Sequence, residues 1–155
     1  MAGIGNIFLG DDGFGSEVAR DVANRIRDPR VRVTDYGIGG MHLAYDLLDS
    51  WGALVLIDAV PGKGCPGRLH IMQAHHETDS STAYIDAHAM DPAAVFASLA
   101  ALGGTPPPTV VIGCEVENVA EGLGLSDAVS ASVAEASQSV EHVVAQLLSS
   151  NAGGK

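Results

Sequence analysis

The stretch "ALVLIDAV", residues 53–60, is nearly continuous apolar sequence broken by one aspartate, Asp58. This composition is typical of a parallel strand covered on both faces, because a strand with one face in water alternates apolar and polar residues. The turn-forming sequence "PGKGCPG" follows directly at residues 61–67. We therefore predict a central parallel strand that ends at Asp58.

The segments on either side alternate between strand-like and helix-like hydrophobic patterns. The predicted strands are residues 1–4, 31–36, 53–60, 68–72 and 106–116, and the predicted helices are 15–27, 41–51, 92–102 (with Asp91 as N-cap) and 126–148. This order predicts an α/β fold, a three-layer α/β/α sandwich around a mostly parallel sheet of about five strands with helices on both faces. We expect one domain over residues 1–148 and a flexible tail over 149–155.

Composition excludes several classes of partner. The chain has 155 residues with 19 acidic against 8 basic side chains, a formal net charge of −11 that repels nucleic acid and anionic membrane surfaces. The start has no signal-peptide pattern and no run of about 18 apolar residues occurs, which predicts a cytoplasmic protein. Cys65 and Cys114 lack the spacing of a metal or redox motif, so we expect free thiols.

A glycine-rich loop follows the first predicted strand. The loop "GIGNIFLGDDGFG", residues 3–15, contains two adjacent aspartates. Ligands of open α/β sheets bind beyond the carboxyl ends of the strands where the strand order reverses, which in a flavodoxin-like order is between the first and third strands. Asp12 and Asp58 are thus expected to converge there. The long polar loop over 73–89 offers the candidates for a third group: His75, His76, Asp79, Asp86 and His88.

Two carboxylates and one imidazole form a site suited to a divalent ion such as Ni²⁺, Zn²⁺ or Fe²⁺, and composition does not choose among these metals. The chain has no Gly-x-Ser-x-Gly elbow, no His-Glu-x-x-His, no Gly-x-x-x-x-Gly-Lys-Ser/Thr and no complete Gly-x-Gly-x-x-Gly. The usual serine hydrolase, zinc protease and nucleotide signatures are therefore missing. A flavodoxin-like nucleotide or flavin module remains an alternative on the fold pattern alone.

Motifs along nearly the whole chain carry a family resemblance. They are "GIGNIFLGDDGFG" (3–15), "DYGIGGMHLAYDLLD" (35–49), "LVLIDAV" (54–60), "HAMDPAAV" (88–95) and "VIGCEVENVAEGLGLSDAV" (111–129). In this order they resemble the endopeptidases that mature the large subunit of [NiFe] hydrogenases by removing its C-terminal extension.

The resemblance implies a set of site residues. The family's opening-loop carboxylate, strand aspartate and loop histidine contact metal, and these roles fall on Asp12, Asp58 and His88. Asp11 is then expected to cap the following helix or to stabilise the loop through backbone N–H groups. The reverse assignment of the two adjacent aspartates stays open, because Asp is a common cap.

The resemblance also implies the activity. We expect an endopeptidase that cleaves a [NiFe] hydrogenase large-subunit precursor after nickel insertion, acts as a monomer and holds no permanent cofactor, because the nickel belongs to the substrate. The metal would polarise the scissile carbonyl or activate water. The alternative is a non-cleaving chaperone that binds nickel or the precursor. Family members carry several apolar residues before the first glycine, so we expect residues upstream of Met1 to complete the first strand.

Overall fold

The computed structural model describes residues 1–74 and 92–152. Its strands are β1 (Ala2–Ile4), β2 (Thr34–Gly37), β3 (Leu54–Val60), β4 (Leu69–Ala74) and β5 (Thr109–Glu115). Its helices are α1 (Phe14–Ala23), α2 (Gly40–Asp46), α3 (Pro92–Ala101), α4 (Asp127–Ala131) and α5 (Val133–Ala152), and a 3-10 turn covers Gly10–Gly13.

The five strands form one sheet in the order β2-β1-β3-β5-β4, in which β4 alone is antiparallel to its neighbour. Helices α1, α4 and α5 cover one face, and α2 and α3 cover the other. Both cores use β3: Val55 and Ile57 pack on the first face, and Leu54 and Leu56 on the second. The three-layer α/β/α prediction is confirmed, and burial of both faces explains the nearly continuous apolar run in β3.

The strand order reverses between β1 and β3. The chain leaves β1 for β2 on one side and returns to β3 on the other, so the two strands flank a topological switch point as predicted. The β1 pairing ends at Gly3 opposite Ile57, which makes Asp58 the first residue of β3 beyond it. Asp58 does not end the strand, however, because pairing with β5 continues to Val60 opposite Glu115.

The predicted closing helix over 126–148 is two helices, α4 and α5, separated at Ser132. The Ser132 N–H bonds to the Val129 carbonyl three residues back (3.1 Å), which tightens the last turn of α4. The Ser132 hydroxyl donates to the Gly67 carbonyl (2.6 Å), outside the helix. A tertiary contact therefore fixes the break, and the hydrophobic pattern continues through it.

Further boundaries differ from the prediction: β2 begins at Thr34 rather than residue 31, α2 ends at Asp46 rather than residue 51, and β5 begins at Thr109 rather than residue 106. Helix α5 continues to Ala152, so the predicted tail is wrong for residues 149–152; the Ser149 and Ser150 hydroxyls bond to carbonyls four residues back within the helix. Helix α1 ends at Ala23 rather than residue 27, because the Asn24 N–H turns to the Asp21 carbonyl (3.2 Å). Asp91 and residues 153–155 lie outside the described residues.

The start of α1 lies directly on the ends of β1 and β3. A Cβ added at Gly15 would collide with the backbone carbonyl oxygens of Ile4 and Ile57, and one added at Gly3 with the carbonyl of Gly15. These glycines let the helix approach the strands more closely than any side chain allows. The turn that carries Asp12 is thereby held at the switch point.

Both cysteines are free, as predicted, with Cys65 exposed and Cys114 buried. Burial, followed by the charges of Asp11 and Glu115, raises the pKa of the Cys114 thiol to about 12, which makes it a poor nucleophile. Within residues 1–74 and 92–152, no helix has the length and apolar character needed to cross a bilayer.

Candidate active site

The 3-10 turn after β1 carries both adjacent aspartates and contacts β3. Asp11 is 0% exposed and Asp12 is 6% exposed. Two buried carboxylates side by side need separate partners, because a desolvated charge without hydrogen bonds is costly. Their partners lie in different parts of the chain.

Asp11 binds a segment more than 100 residues away. Its Oδ2 accepts hydrogen bonds from the N–H of Glu117 (2.8 Å), the N–H of Asn118 (2.9 Å) and the hydroxyl of Ser126 (2.9 Å), and its Oδ1 accepts one from the Ser126 N–H (2.6 Å). The Asp11 N–H in turn donates to the Asn118 carbonyl (2.9 Å). Stabilisation of the loop through backbone N–H groups is confirmed. Capping of α1 is wrong, since its N-cap is Gly13 without a side-chain cap bond.

These bonds determine the charge state of Asp11. Burial raises the pKa of its carboxyl, but the hydrogen bonds from Asn118, Ser126 and Glu117 together outweigh burial and lower the pKa below its ordinary value. An ionised carboxylate has about four lone-pair positions, two on each oxygen; here three donors converge on Oδ2 and one bonds to Oδ1. Asp11 therefore has a structural role and little remaining capacity to bind a ligand.

Asp12 has a different hydrogen-bond partner from Asp11. Its Oδ2 accepts the N–H of Asn6 (2.8 Å), a bond within the loop after β1 that orients the carboxylate. Asp58 is 8% exposed and belongs to the strand that this turn contacts. Alternation along β3 puts Asp58 on the same face as Leu56, the face that α2 and α3 cover. Both carboxylates thus occupy the predicted switch point.

The third predicted ligand cannot be placed. His88 and its alternatives His75, His76, Asp79 and Asp86 all lie outside the described residues. Among the residues that are described, no group of three or more His, Cys, Asp or Glu side chains could hold a metal ion. The assignment of Asp12, Asp58 and His88 as metal ligands and catalytic residues stays a prediction.

The loop from Gly5 to Gly10 is anchored at both of its ends. At one end, the Gly5 N–H donates to the Gly37 carbonyl (2.9 Å). At the other, the Gly10 N–H donates to the Gly122 carbonyl (3.0 Å) and the Gly122 N–H donates to the Phe8 carbonyl (2.8 Å). The loops after β1, β2 and β5 therefore form one connected layer over the switch point.

A further buried carboxylate, Glu115, organises this edge of the sheet and was not predicted from the sequence. Glu115 is 1% exposed; its Oε2 accepts the N–H groups of Lys63 (2.9 Å) and Cys65 (3.2 Å), and its Oε1 lies 2.8 Å from Nε2 of His70. It holds the turn after β3 against the end of β5. The signal in the sequence is that Glu115 is the one charged residue in the apolar run "VVIGCEV".

Comparison with known proteins identifies the family. The sequence model described as hydrogenase maturation protease matches residues 16–143, more than half of the chain. The chain belongs to the hydrogenase maturation protease family. The hydrogenase maturating endopeptidase HybD from E. coli aligns over 94% of this chain and 90% of its own, with a TM-score of 0.77 and 26% identity. The [NiFe] hydrogenase maturation protease HybD from Thermococcus kodakarensis aligns over 92% and 95%, with a TM-score of 0.73 and 25% identity.

A curated relative matches a shorter segment of this maturation protease. It is the coenzyme F420 hydrogenase subunit delta of Methanothermobacter thermautotrophicus, 34% identical over 74 residues, or 44% of this chain. The match spans about half of that relative, 47% of its length. Together the comparisons confirm the family resemblance, the fold and the peptidase class.

The two adjacent aspartates should differ in their effect on stability. We expect Asp11→Asn to lower the free energy of unfolding by about 2–4 kcal/mol, because an amide offers one acceptor oxygen and turns its NH₂ toward buried donors. Asp12→Asn, the matched control, should change it by less than about 1 kcal/mol, because the amide oxygen can still accept one N–H. Urea unfolding measures both, and equal losses would contradict the separate roles.

We expect acid to destabilise the fold by protonating Glu115. Hydrogen bonds from His70 and then Lys63 lower the pKa of Glu115 from its ordinary value of 4.5 to about 2. A carboxyl with a lowered pKa stabilises the fold above its unfolded pKa, and this contribution is lost as the pH falls from about 4.5 toward 2. Glu115→Gln should therefore be less stable at pH 7 and lose less stability over that window. Exposed Glu135→Gln should retain the wild-type slope; a wild-type slope in Glu115→Gln would refute the assignment.

Proposed function

We propose that this protein is the endopeptidase that removes the C-terminal extension of a [NiFe] hydrogenase large-subunit precursor once nickel has been inserted. The observation that carries the proposal is the buried Asp12 carboxylate, oriented by one backbone N–H at the β1/β3 switch point of a maturation-protease fold. Its neighbour Asp11 accepts four hydrogen bonds that give it a structural role, and we assign the chemistry to Asp12.

In this proposal nickel arrives as part of the substrate. Asp12 and Asp58 supply carboxylate oxygens and His88 supplies an imidazole, a donor set that suits a divalent transition ion. Helix α3 begins at Pro92, four residues after His88, and packs through Val95 on the face of the sheet to which Asp58 belongs. This position of α3 supports the choice of His88 as the third ligand.

Cleavage adds one water across the scissile peptide bond. The hydroxyl joins the carbonyl carbon, the C–N bond breaks, and a proton goes to the departing amine. Nickel held by the three side chains polarises the scissile carbonyl or activates the attacking water. Because the metal enters with the precursor, a precursor without nickel has no Lewis acid at the site to activate the carbonyl or the water, and it stays intact.

The proposed partner is therefore the precursor protein. One chain contains all three proposed ligands, so a monomer suffices for activity. The net charge of −11 argues against nucleic acid as a partner. A precursor chaperone would use the same two carboxylates without turnover, and the cleavage assay separates the two functions.

The assay mixes the purified protein with its large-subunit precursor, with and without nickel, and follows the C-terminal mass of the precursor. We expect a peptide to be released only with nickel, and at least about a 100-fold loss of rate in Asp12→Ala, Asp58→Ala and His88→Ala, as for removal of a catalytic group. The controls Asp49→Ala and His142→Ala remove an exposed carboxylate and an imidazole on α5 and should cleave at the wild-type rate.

Two results would contradict the proposal. A nickel-loaded precursor that binds but stays intact would favour the chaperone. Cleavage that is equally fast without nickel would remove the metal from the mechanism.

A further inference from the structure

Large apolar side chains are exposed around the switch point. Among the residues that the structure describes, the three most exposed large hydrophobic side chains are Leu123 (74%), Ile38 (64%) and Phe8 (61%), and Met41 at the start of α2 is 50% exposed. Loop tips are ordinarily polar, and a group of exposed apolar side chains marks a surface that binds a partner. We call Phe8, Ile38, Met41 and Leu123 the apolar rim.

The backbone connects the apolar rim into one layer. Leu123 follows Gly122, whose N–H and carbonyl bond to Phe8 and Gly10 in the loop after β1. Ile38 follows Gly37, whose carbonyl accepts the N–H of Gly5 at the start of the same loop. Phe8, Ile38 and Leu123 therefore lie on three loops that hydrogen bonds hold together, and Met41 follows Ile38 in the first turn of α2.

Asp12 is hydrogen-bonded to the first of these loops, the one after β1. Its carboxylate accepts the N–H of Asn6, which lies in the chain between Gly5 and Phe8. The Asp11 carboxylate accepts hydrogen bonds from Glu117, Asn118 and Ser126 and so holds the loop after β5. The exposed apolar side chains thus belong to the same hydrogen-bonded loops that hold Asp12.

We propose that the apolar rim is the docking surface for the large-subunit precursor, which buries apolar side chains next to its scissile bond against Phe8, Ile38, Met41 and Leu123. This inference rests on the proposed function, because only a protein substrate must bring its backbone to Asp12. The hydrogen bonds between the loops lower the entropic cost of docking, since the loops need not fold on binding.

The precursor fits this surface better than a second copy of the chain does. A dimer joined through the rim would cover Asp12 and Asp58 and close the site to its substrate. Two copies would also each bring a net charge of −11 to the interface, and like charges oppose association. A protein substrate that presents apolar residues meets neither obstacle.

Two double variants each replace half of the apolar rim with polar side chains. One combines Phe8→Gln with Leu123→Gln, and the other combines Ile38→Gln with Met41→Gln. The matched control is Ile71→Gln with Met72→Gln, two exposed apolar residues (54% and 43%) in the middle of the edge strand β4. All six side chains are exposed, so thermal unfolding should stay at the wild-type temperature. If one of the two double variants fails to fold, the other one still tests the proposal.

Two measurements are made on each variant. Calorimetric titration with nickel-free precursor reports docking without turnover, and initial rates with nickel-loaded precursor report KM and kcat. Loss of two central apolar contacts typically weakens an interface by at least about tenfold. We expect Kd and KM to rise by about that factor in each rim variant, with kcat within about twofold and the β4 control unchanged.

The outcomes separate this inference from the proposed function. If the wild type cleaves and both rim variants keep the wild-type Kd and KM, the docking proposal is wrong and the proposed endopeptidase function is retained. If the wild type binds without cleaving and the rim variants lose binding, the docking proposal is retained and the proposed endopeptidase function is wrong. If sedimentation shows a dimer that only the rim variants dissociate, with precursor affinity unchanged, the rim is a self-association surface and the inference fails.

Discussion

The carboxylate of Asp11 joins two parts of the chain that are more than 100 residues apart. It accepts three backbone N–H groups and one hydroxyl from Glu117, Asn118 and Ser126, at distances of 2.6–2.9 Å. A buried charge is stable only when such donors replace the lost water. The turn after β1 and the segment before α4 therefore form together, and the loops around Asp12 depend on that junction.

Under the proposed function, this junction explains why the loop carries two adjacent aspartates. One carboxylate holds the loops in place and the other is presented at the switch point beside the strand of Asp58. A single aspartate would serve both purposes poorly, because a carboxylate that already accepts four hydrogen bonds has few lone-pair positions left for a ligand. Gly15 contributes by letting α1 contact the strand ends, which brings this turn to its position.

Much of the fold could be predicted because the decisive patterns are local. The apolar run in β3 requires burial on both faces, and the strand order then places Asp12 and Asp58 at one edge. The features that were not predicted depend on residues far away in the sequence. The break at Ser132 depends on Gly67, and the burial of Glu115 depends on N–H groups about 50 residues earlier in the chain. Neither leaves a periodic signal, since the hydrophobic pattern runs through both positions.

The central claim is that Asp11 holds the loops together while Asp12 does not, and amide hydrogen exchange tests it most directly. In the wild type, the N–H groups of Glu117, Asn118 and Ser126 should exchange slowly, because each is bonded to Asp11. Asp11→Asn should abolish this protection, and Asp12→Asn should leave it intact. Protection that survives Asp11→Asn, or that is lost in Asp12→Asn, would contradict the account.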